Sequence, residues 1–285
     1  MNFLTFKKVC TFILTVSVFF SLSSISCTKK TTSNENGVVF DSIQVNKTQS
    51  VNYKKSKLNC NLHVVFTYPI QCKNTSLLDS LQKIFIRKFF PSQYANLSPK
   101  EAMNNFSTQY IKDFQSIKLD SFFDNDDMLE DENDFIYEMD LEDEILYNKD
   151  DFISFIVKNT NYEGGAHGFN SIYGYVIDLN TGKILSEEDI TGDDYKKNVS
   201  SLLVQKIVAA KGLNDASQLE GIGYSAIEDI VPNGNFTISD KGITYYFNES
   251  EIAASFIGTT EVFIPYNEVK NYIIDDSPIF KLAGL

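Results

Sequence analysis

The chain has 285 residues, with 25 lysines and arginines against 38 aspartates and glutamates, a formal net charge of −13. An acidic surface of that kind repels phosphate backbones and anionic headgroups, which argues against nucleic acid and leaves basic partners open. Its 23 Phe and 15 Tyr, without a single Trp, suit a β-rich packed core.

The chain begins with the layout of a secretory signal: Lys7 and Lys8, an uncharged, largely apolar run over residues 9–22, then small side chains up to Cys27. That run is shorter than the roughly 20 residues a membrane span needs. Ser24-Ile25-Ser26-Cys27 resembles the lipobox of bacterial lipoproteins. The resemblance implies cleavage before Cys27, a diacylglycerol on its thiol, and an exported protein held at a membrane, periplasm-facing or on the cell surface. Two acyl chains are enough to make such a tether stable, since each buried methylene contributes about 0.8 kcal/mol. An ordinary signal peptide or an uncleaved anchor with an incidental cysteine is the alternative. Residues 1–26 carry two lysines and no acid, so the chain without them stands at −15. The polar, aperiodic stretch that follows reads as a flexible stalk. The domain reading is therefore 1–26 signal, 27–45 lipidated cysteine and stalk, 46–160 and 161–285 two subdomains of similar size.

Leu62, Val64, Phe66 and Tyr68 alternate with His63, Val65 and Thr67, the period of a strand with one buried face. Helical spacing over 75–90 ends at Pro91. Ser98-Pro99-Lys100-Glu101 is a capping box with proline at the first helical position, so a second helix runs to about Ile117. Residues 120–151 hold 15 acids and one base, Lys149. Within them Phe135, Tyr137, Met139 and Leu141 alternate with Ile136, Glu138, Asp140 and Glu142, a strand with one wet, acidic face. Strands follow over 152–159 and 172–178, then a turn at 180–183 and a helix over 193–210 ending at Gly212. Strands over 235–239, 243–247 and 261–266 and a short helix over 267–273 complete the series. Strands joined as hairpins with helices inserted between them predict an α+β fold, a mainly antiparallel sheet with helices packed on it.

Cys10 leaves with the signal and Cys27 carries lipid, so Cys60 and Cys72 remain. The strand between them spans about 40 Å when extended, whereas a bridge needs Cα atoms within about 7 Å, which favours two thiols. His63 and His167 show no zinc-site spacing with other ligands, and Asp124-Asn125-Asp126-Asp127 lacks the glycine and closing glutamate of a calcium loop. No metal or cofactor is expected. The candidate ligand-binding segment is Tyr162, Glu163, Gly164, Gly165 and His167, where adjacent glycines permit sharp turning or close approach. Glu163 and His167 can be drawn as an acid/base pair. The structural alternative is a loop in which His167 bonds its own backbone, and that reading is preferred.

Residues 161–168, NYEGGAHG, with residues 173–183, YGYVIDLNTGK, resemble the GGAHG…DLxTGK pattern of the RsiV/PdaC-like extracytoplasmic domain family. Ser186-Glu187-Glu188-Asp189-Ile190, residues 242–247 and residues 262–266 continue the likeness, and Tyr68-Pro69 resembles the partner domain upstream. Residues 251–256 depart from it by lacking a proline-tyrosine pair. The resemblance implies a non-catalytic recognition module of the cell envelope, binding a protein such as lysozyme or a peptidoglycan glycan. The competing reading is a cell-wall hydrolase or deacetylase-type enzyme using Glu163 and His167.

Overall fold

Strand β1 (Val39–Tyr53) pairs antiparallel with β2 (Ser56–Gln71) in a computed structural model that describes residues 35–53, 56–117, 135–163 and 167–285. The signal region, Cys27 and the Asp124–Asp127 run lie outside the described residues. Sequence patterning misses β1, whose inward residues Ile43 and Val45 are followed by Lys47 and Gln49, too few apolar positions to stand out. Residues 39–45, assigned above to a stalk, belong to the sheet.

After β2 the chain forms α1 (Leu78–Phe89) and α2 (Pro99–Gln115). The capping box is present: Ser98 Oγ accepts from the Glu101 N–H, and Glu101 accepts from the Ser98 N–H at 3.0 Å. Both helices pack on one face of the sheet, and this crossover makes the next strand, β3 (Phe135–Lys149), parallel to β2. Antiparallel pairing resumes through β4 (Phe152–Glu163), β5 (Phe169–Asp178) and the two-residue β6 (Lys183–Ile184), giving the order β1-β2-β3-β4-β5-β6. The short α3 (Glu188–Thr191) and α4 (Tyr195–Ala210) follow. A second, three-stranded antiparallel sheet is built from β7 (Phe236–Ile238), β8 (Gly242–Phe247) and β9 (Thr260–Pro265), with α5 (Tyr266–Val269) at its end. The fold is α+β, as expected.

The division at 160–161 falls inside β4, and the six-stranded sheet runs through it. The cores are separated by the sheet itself. Ile153, Phe155 and Val157 face α1 and α2, where the Phe85 and Phe155 rings stack with centroids 4.2 Å apart. Phe152 and Val176 point the other way, into a core shared with α4 and the second sheet. The run from Phe152 to Val157 is therefore buried on both faces, which is why it reads as continuously apolar rather than alternating.

Polar side chains stitch the two sheets. Ser154 Oγ donates to Ile238 O at 2.8 Å. The Gly174 N–H donates to Asn235 Oδ1 at 2.6 Å, and Asn235 Nδ2 donates to Ile172 O and Tyr246 O at 2.8 and 2.9 Å. The Ile172 N–H donates to Asn248 Oδ1 at 2.7 Å. These bonds occupy the outward main-chain groups of Ile172 and the Gly174 N–H on the edge of β5 left free beyond β6.

Pairing of β2 with β3 ends at Val65 and Glu142, and Asp143 fills the opening where the strands part. Its Oδ1 accepts the Thr67 N–H at 2.6 Å, while Oδ2 is buried without a hydrogen-bond partner. Burial pushes this carboxyl well above the usual carboxylate range, against the smaller opposing effect of the Thr67 bonds. The folded state then holds a proton that the unfolded chain releases near pH 4. Stability accordingly falls as pH rises from there to the raised folded value, by about 1.4 kcal/mol per pH unit. Asp143→Asn keeps the oxygen that accepts from Thr67 and removes the titration. Urea unfolding at pH 5 and pH 8 should show a smaller loss of stability for the variant than for the wild type; equal losses would refute the assignment.

Cys60 and Cys72 are free and buried, and burial pushes the Cys60 thiol up to about 11, making it a poor nucleophile.

Candidate functional site

Among the described residues the second sheet covers only part of the six-stranded sheet, and the rest of that face carries exposed and half-buried polar side chains. On β3 the predicted alternation holds: Tyr137, Leu141 and Asp143 are buried, while Glu138 and Glu144 are exposed and Asp140 and Glu142 half-buried. Register then aligns polar side chains across strands.

One row runs from β2 to β5, and Gln44 of β1 reaches it diagonally. His63 pairs with Asp140, Asp140 with Thr160, and Thr160 with Asn170. His63 Nδ1 lies 2.8 Å from Asp140 Oδ1, and His63 Nε2 lies 3.1 Å from Gln44 Nε2. Because an amide nitrogen only donates, Nε2 is the acceptor and Nδ1 carries the proton to Asp140. Thr160 Oγ1 donates to Asn170 Oδ1 at 2.9 Å, and Asn170 Nδ2 to Glu249 Oε1 at 2.8 Å. A neighbouring row holds Thr48, Asn61, Glu138 and Tyr162, with Thr48 Oγ1 donating to Asn61 Oδ1 at 3.3 Å. In a third, Lys158 Nζ stands 2.9 Å from Glu144 and 3.7 Å from Glu142. The hydrogen bond that Lys158 donates to Glu144 leads the causes that hold Lys158 above its ordinary range. Four carboxylates of β3 thus share this face with one base of β4.

The loop singled out from the sequence is placed only in part. Gly164 and Gly165 lie outside the described residues. Tyr162 is half-buried and shares the register of Glu138. Glu163, one residue on, has the opposite strand direction, since successive side chains alternate. It reaches toward Tyr110 and Tyr137, whose hydroxyls are pushed up by burial first and by Glu163 among the lesser causes. Glu163 Oε1 accepts from Asn161 Nδ2 at 3.0 Å. His167 is exposed, with Nδ1 3.3 Å from the Gly168 carbonyl. Tyr162 and Glu163 therefore serve different faces, and His167 bonds its backbone as the structural alternative proposed. Gly168 is held tightly, for a Cβ there would sit 2.9 Å from the Asn161 carbonyl oxygen.

The His63–Asp140 row escapes sequence reading because its members are 77 residues apart. The only available signal was the alternation that put both on wet strand faces. Among the described residues no three His, Cys, Asp or Glu side chains are grouped so as to hold a metal, and no helix is long and apolar enough to cross a membrane.

The family model for the deacetylase PdaC matches residues 53–170, and the model for the protein of unknown function DUF3298 matches residues 188–267. A crystal structure of a DUF3298 family member from Bacteroides fragilis NCTC 9343 is similar, with 28% identity and a TM-score of 0.78 over 88% of this chain and 99% of that one. A DUF3298 family protein from Pseudomonas aeruginosa PAO1 shares the fold, with 13% identity and a TM-score of 0.55 over 85% and 97% of the two chains. No curated protein matches the chain.

Proposed function

From a chain that joins a PdaC-family domain to a DUF3298-family domain, of the RsiV/PdaC-like kind, we propose a non-catalytic recognition module of the cell envelope whose ligand is a basic protein such as lysozyme. In this reading the protein is exported and tethered through lipid on Cys27. The observation that carries it is the wet sheet face, where Glu138, Asp140, Glu142 and Glu144 project from one strand and Lys158 pairs with Glu142 and Glu144. Opposite fields steer encounter and orient the partners, while the strands fix the backbone positions of the acids before binding. A peptidoglycan glycan is the second reading, favoured by the ordered row Gln44–His63–Asp140 and Thr160–Asn170, whose donors and acceptors suit hydroxyl groups. The enzyme reading draws less support, because Glu163 and His167 are each engaged by a local partner.

Calorimetry against lysozyme should give measurable heat at about 10 mM salt and strongly weakened binding at about 0.5 M, where screening reaches within a few ångströms. Absence of heat at low salt would sink the protein-ligand version.

A further inference from the structure

A cavity of about 700 Å³ lies where three turns and the C-terminal segment meet, at one end of the two sheets. The β3–β4 turn brings Asp150 and Asp151 to it, the β5–β6 turn Asn180 and the β7–β8 turn Asp240, while the segment after α5 brings Asp275 and Asp276. Lys281 is the one base among the described residues that line it. Of the lysines beside these turns, Lys149 is drawn off to Glu35 at 2.9 Å, and Lys241 does not line the cavity. The Tyr147 hydroxyl, which donates to Asp150, is pushed up by burial first, then by Asp150 and Asp240, so the first and third turns stand close together. Among the described residues no hydrogen bond or ion pair engages the side chains of Asp151, Asp240, Asp275 or Asp276. Ser277 is a second, separate sign of a ligand. It forms part of the wall and is 6% exposed, and its Oγ is buried without a hydrogen-bond partner. Leaving a buried hydroxyl unmet is costly. The segment that carries it is fixed, with Ile273 and Ile279 in the core and the Ile274 N–H donating to Ile190 O at 3.1 Å.

We propose that this cavity binds a linear polyamine, whose separated ammonium groups are taken by aspartates of different turns, with Ser277 Oγ accepting from one of them. The site is distinct from the acidic sheet face and does not depend on the basic-protein reading. Charge and spacing choose the occupant. Five carboxylates against one lysine oppose an anion. A single metal ion needs several oxygens converging on it at about 2.0–2.6 Å. Among the described residues no three acidic side chains are grouped in that way. The positive charge must therefore be spread along the ligand. The volume suits a small molecule rather than a protein segment. Phe280 and Leu282, partly buried against the C-terminal core, give the same cavity apolar surface for the methylenes that link the charges.

The test is calorimetry of the full-length protein at about 0.15 M salt, with spermidine, n-butylamine and Ca²⁺ as separate titrants. Spermidine should bind at a single site, at least about tenfold more tightly than n-butylamine, which carries one charge. Asp275→Asn/Asp276→Asn should weaken spermidine at least about tenfold and Ser277→Ala about threefold. Asparagine keeps the size and the turn preference of aspartate, and an unchanged thermal midpoint shows that the fold is intact. Asp193→Asn/Asp194→Asn, the same charge change in an exposed pair ahead of α4, should leave binding within about twofold. Absence of spermidine binding, equal affinity for n-butylamine, or a Ser277→Ala protein that binds as the wild type does would overturn the inference. An equal loss in the Asp193/Asp194 variant would also overturn it, by making the attraction a property of net charge alone. Ca²⁺ binding at one site that Asp275→Asn/Asp276→Asn abolishes would do the same, by assigning the acids to a metal. The lysozyme titration decides the basic-protein reading separately, so the two can fail independently.

Discussion

Gly174→Ala is expected to lower unfolding free energy by about 3 kcal/mol, at the upper end of what overpacking usually costs. A Cβ at this position would lie 2.8 Å from the Phe236 carbonyl oxygen, 2.9 Å from its carbon and 3.0 Å from the Thr237 methyl. Two of those three atoms are backbone of β7, so relief requires moving one sheet away from the other. Separation also stretches the 2.6 Å bond from the Gly174 N–H to Asn235 and the Ser154–Ile238 pair, so the cost is not confined to the clash. For a chain of this size a loss of 3 kcal/mol corresponds to a fall of roughly 6–12 °C in thermal midpoint. Gly221→Ala is the matched control, since a Cβ there meets nothing within 4 Å. That variant should be neutral or slightly stabilised, by up to about 1 kcal/mol. Denaturant titrations of the two variants decide the matter. A Gly174→Ala protein within about 1 kcal/mol of wild type would show that the sheets are free to part here.

Asn235→Ala is the second change expected to be severe, costing about 2–3 kcal/mol. Its amide makes three bonds to main-chain groups, accepting from Gly174 and donating to Ile172 and Tyr246. Alanine removes the partner of the Gly174 N–H and of the Ile172 carbonyl in a part-buried layer, while the Tyr246 carbonyl keeps Asn233 Nδ2 at 2.8 Å, and leaving such groups unmet costs more than the net worth of the bonds. Asn235→Asp should be intermediate, because a carboxylate accepts from Gly174 but cannot donate to the carbonyls. Hydrogen exchange would read the change directly: the Gly174 amide should lose protection in the alanine variant and keep it in the aspartate variant. Unaltered protection in both would place the holding force elsewhere, in the apolar contacts of Phe236, Ile238 and Val176.

Both predictions concern residues inside or beside the segment that marks the family, YGYVIDLNTGK. Sequence motif and mechanical role meet at Gly174. The glycine lies inside the strand predicted over 172–178, and a glycine mid-strand signals the close approach of another backbone. That approaching backbone is β7, some sixty residues later, so the reason for the glycine became visible only with both sheets in place. The reverse holds for the glycines of the GGAHG stretch, which drew attention first. Of these Gly168 alone lies in the described structure together with His167, and His167 is turned onto the carbonyl of its neighbour.

The elements legible in the sequence were those whose stability is local or whose burial is periodic. The capping box at Ser98–Glu101, the amphipathic spacing of α1 and the alternation of β3 all follow from contacts within a few residues, so each could be read without the rest of the chain. The acidic, wet face of β3 belongs to the same class, and so does the preference for free thiols at Cys60 and Cys72, ends of one extended segment. What needed the tertiary structure were the features set by register between distant strands. The strand character of residues 39–53 comes from pairing with β2 rather than from its own apolar pattern. The parallel step from β2 to β3 follows from the two helices between them. The His63–Asp140 row and the burial of Asp143 in an otherwise acidic strand each join residues that local propensity treats as unrelated. Periodicity says which way a side chain points; only the assembled sheets decide what it meets there, because contact energies depend on neighbours that the chain brings in from far away.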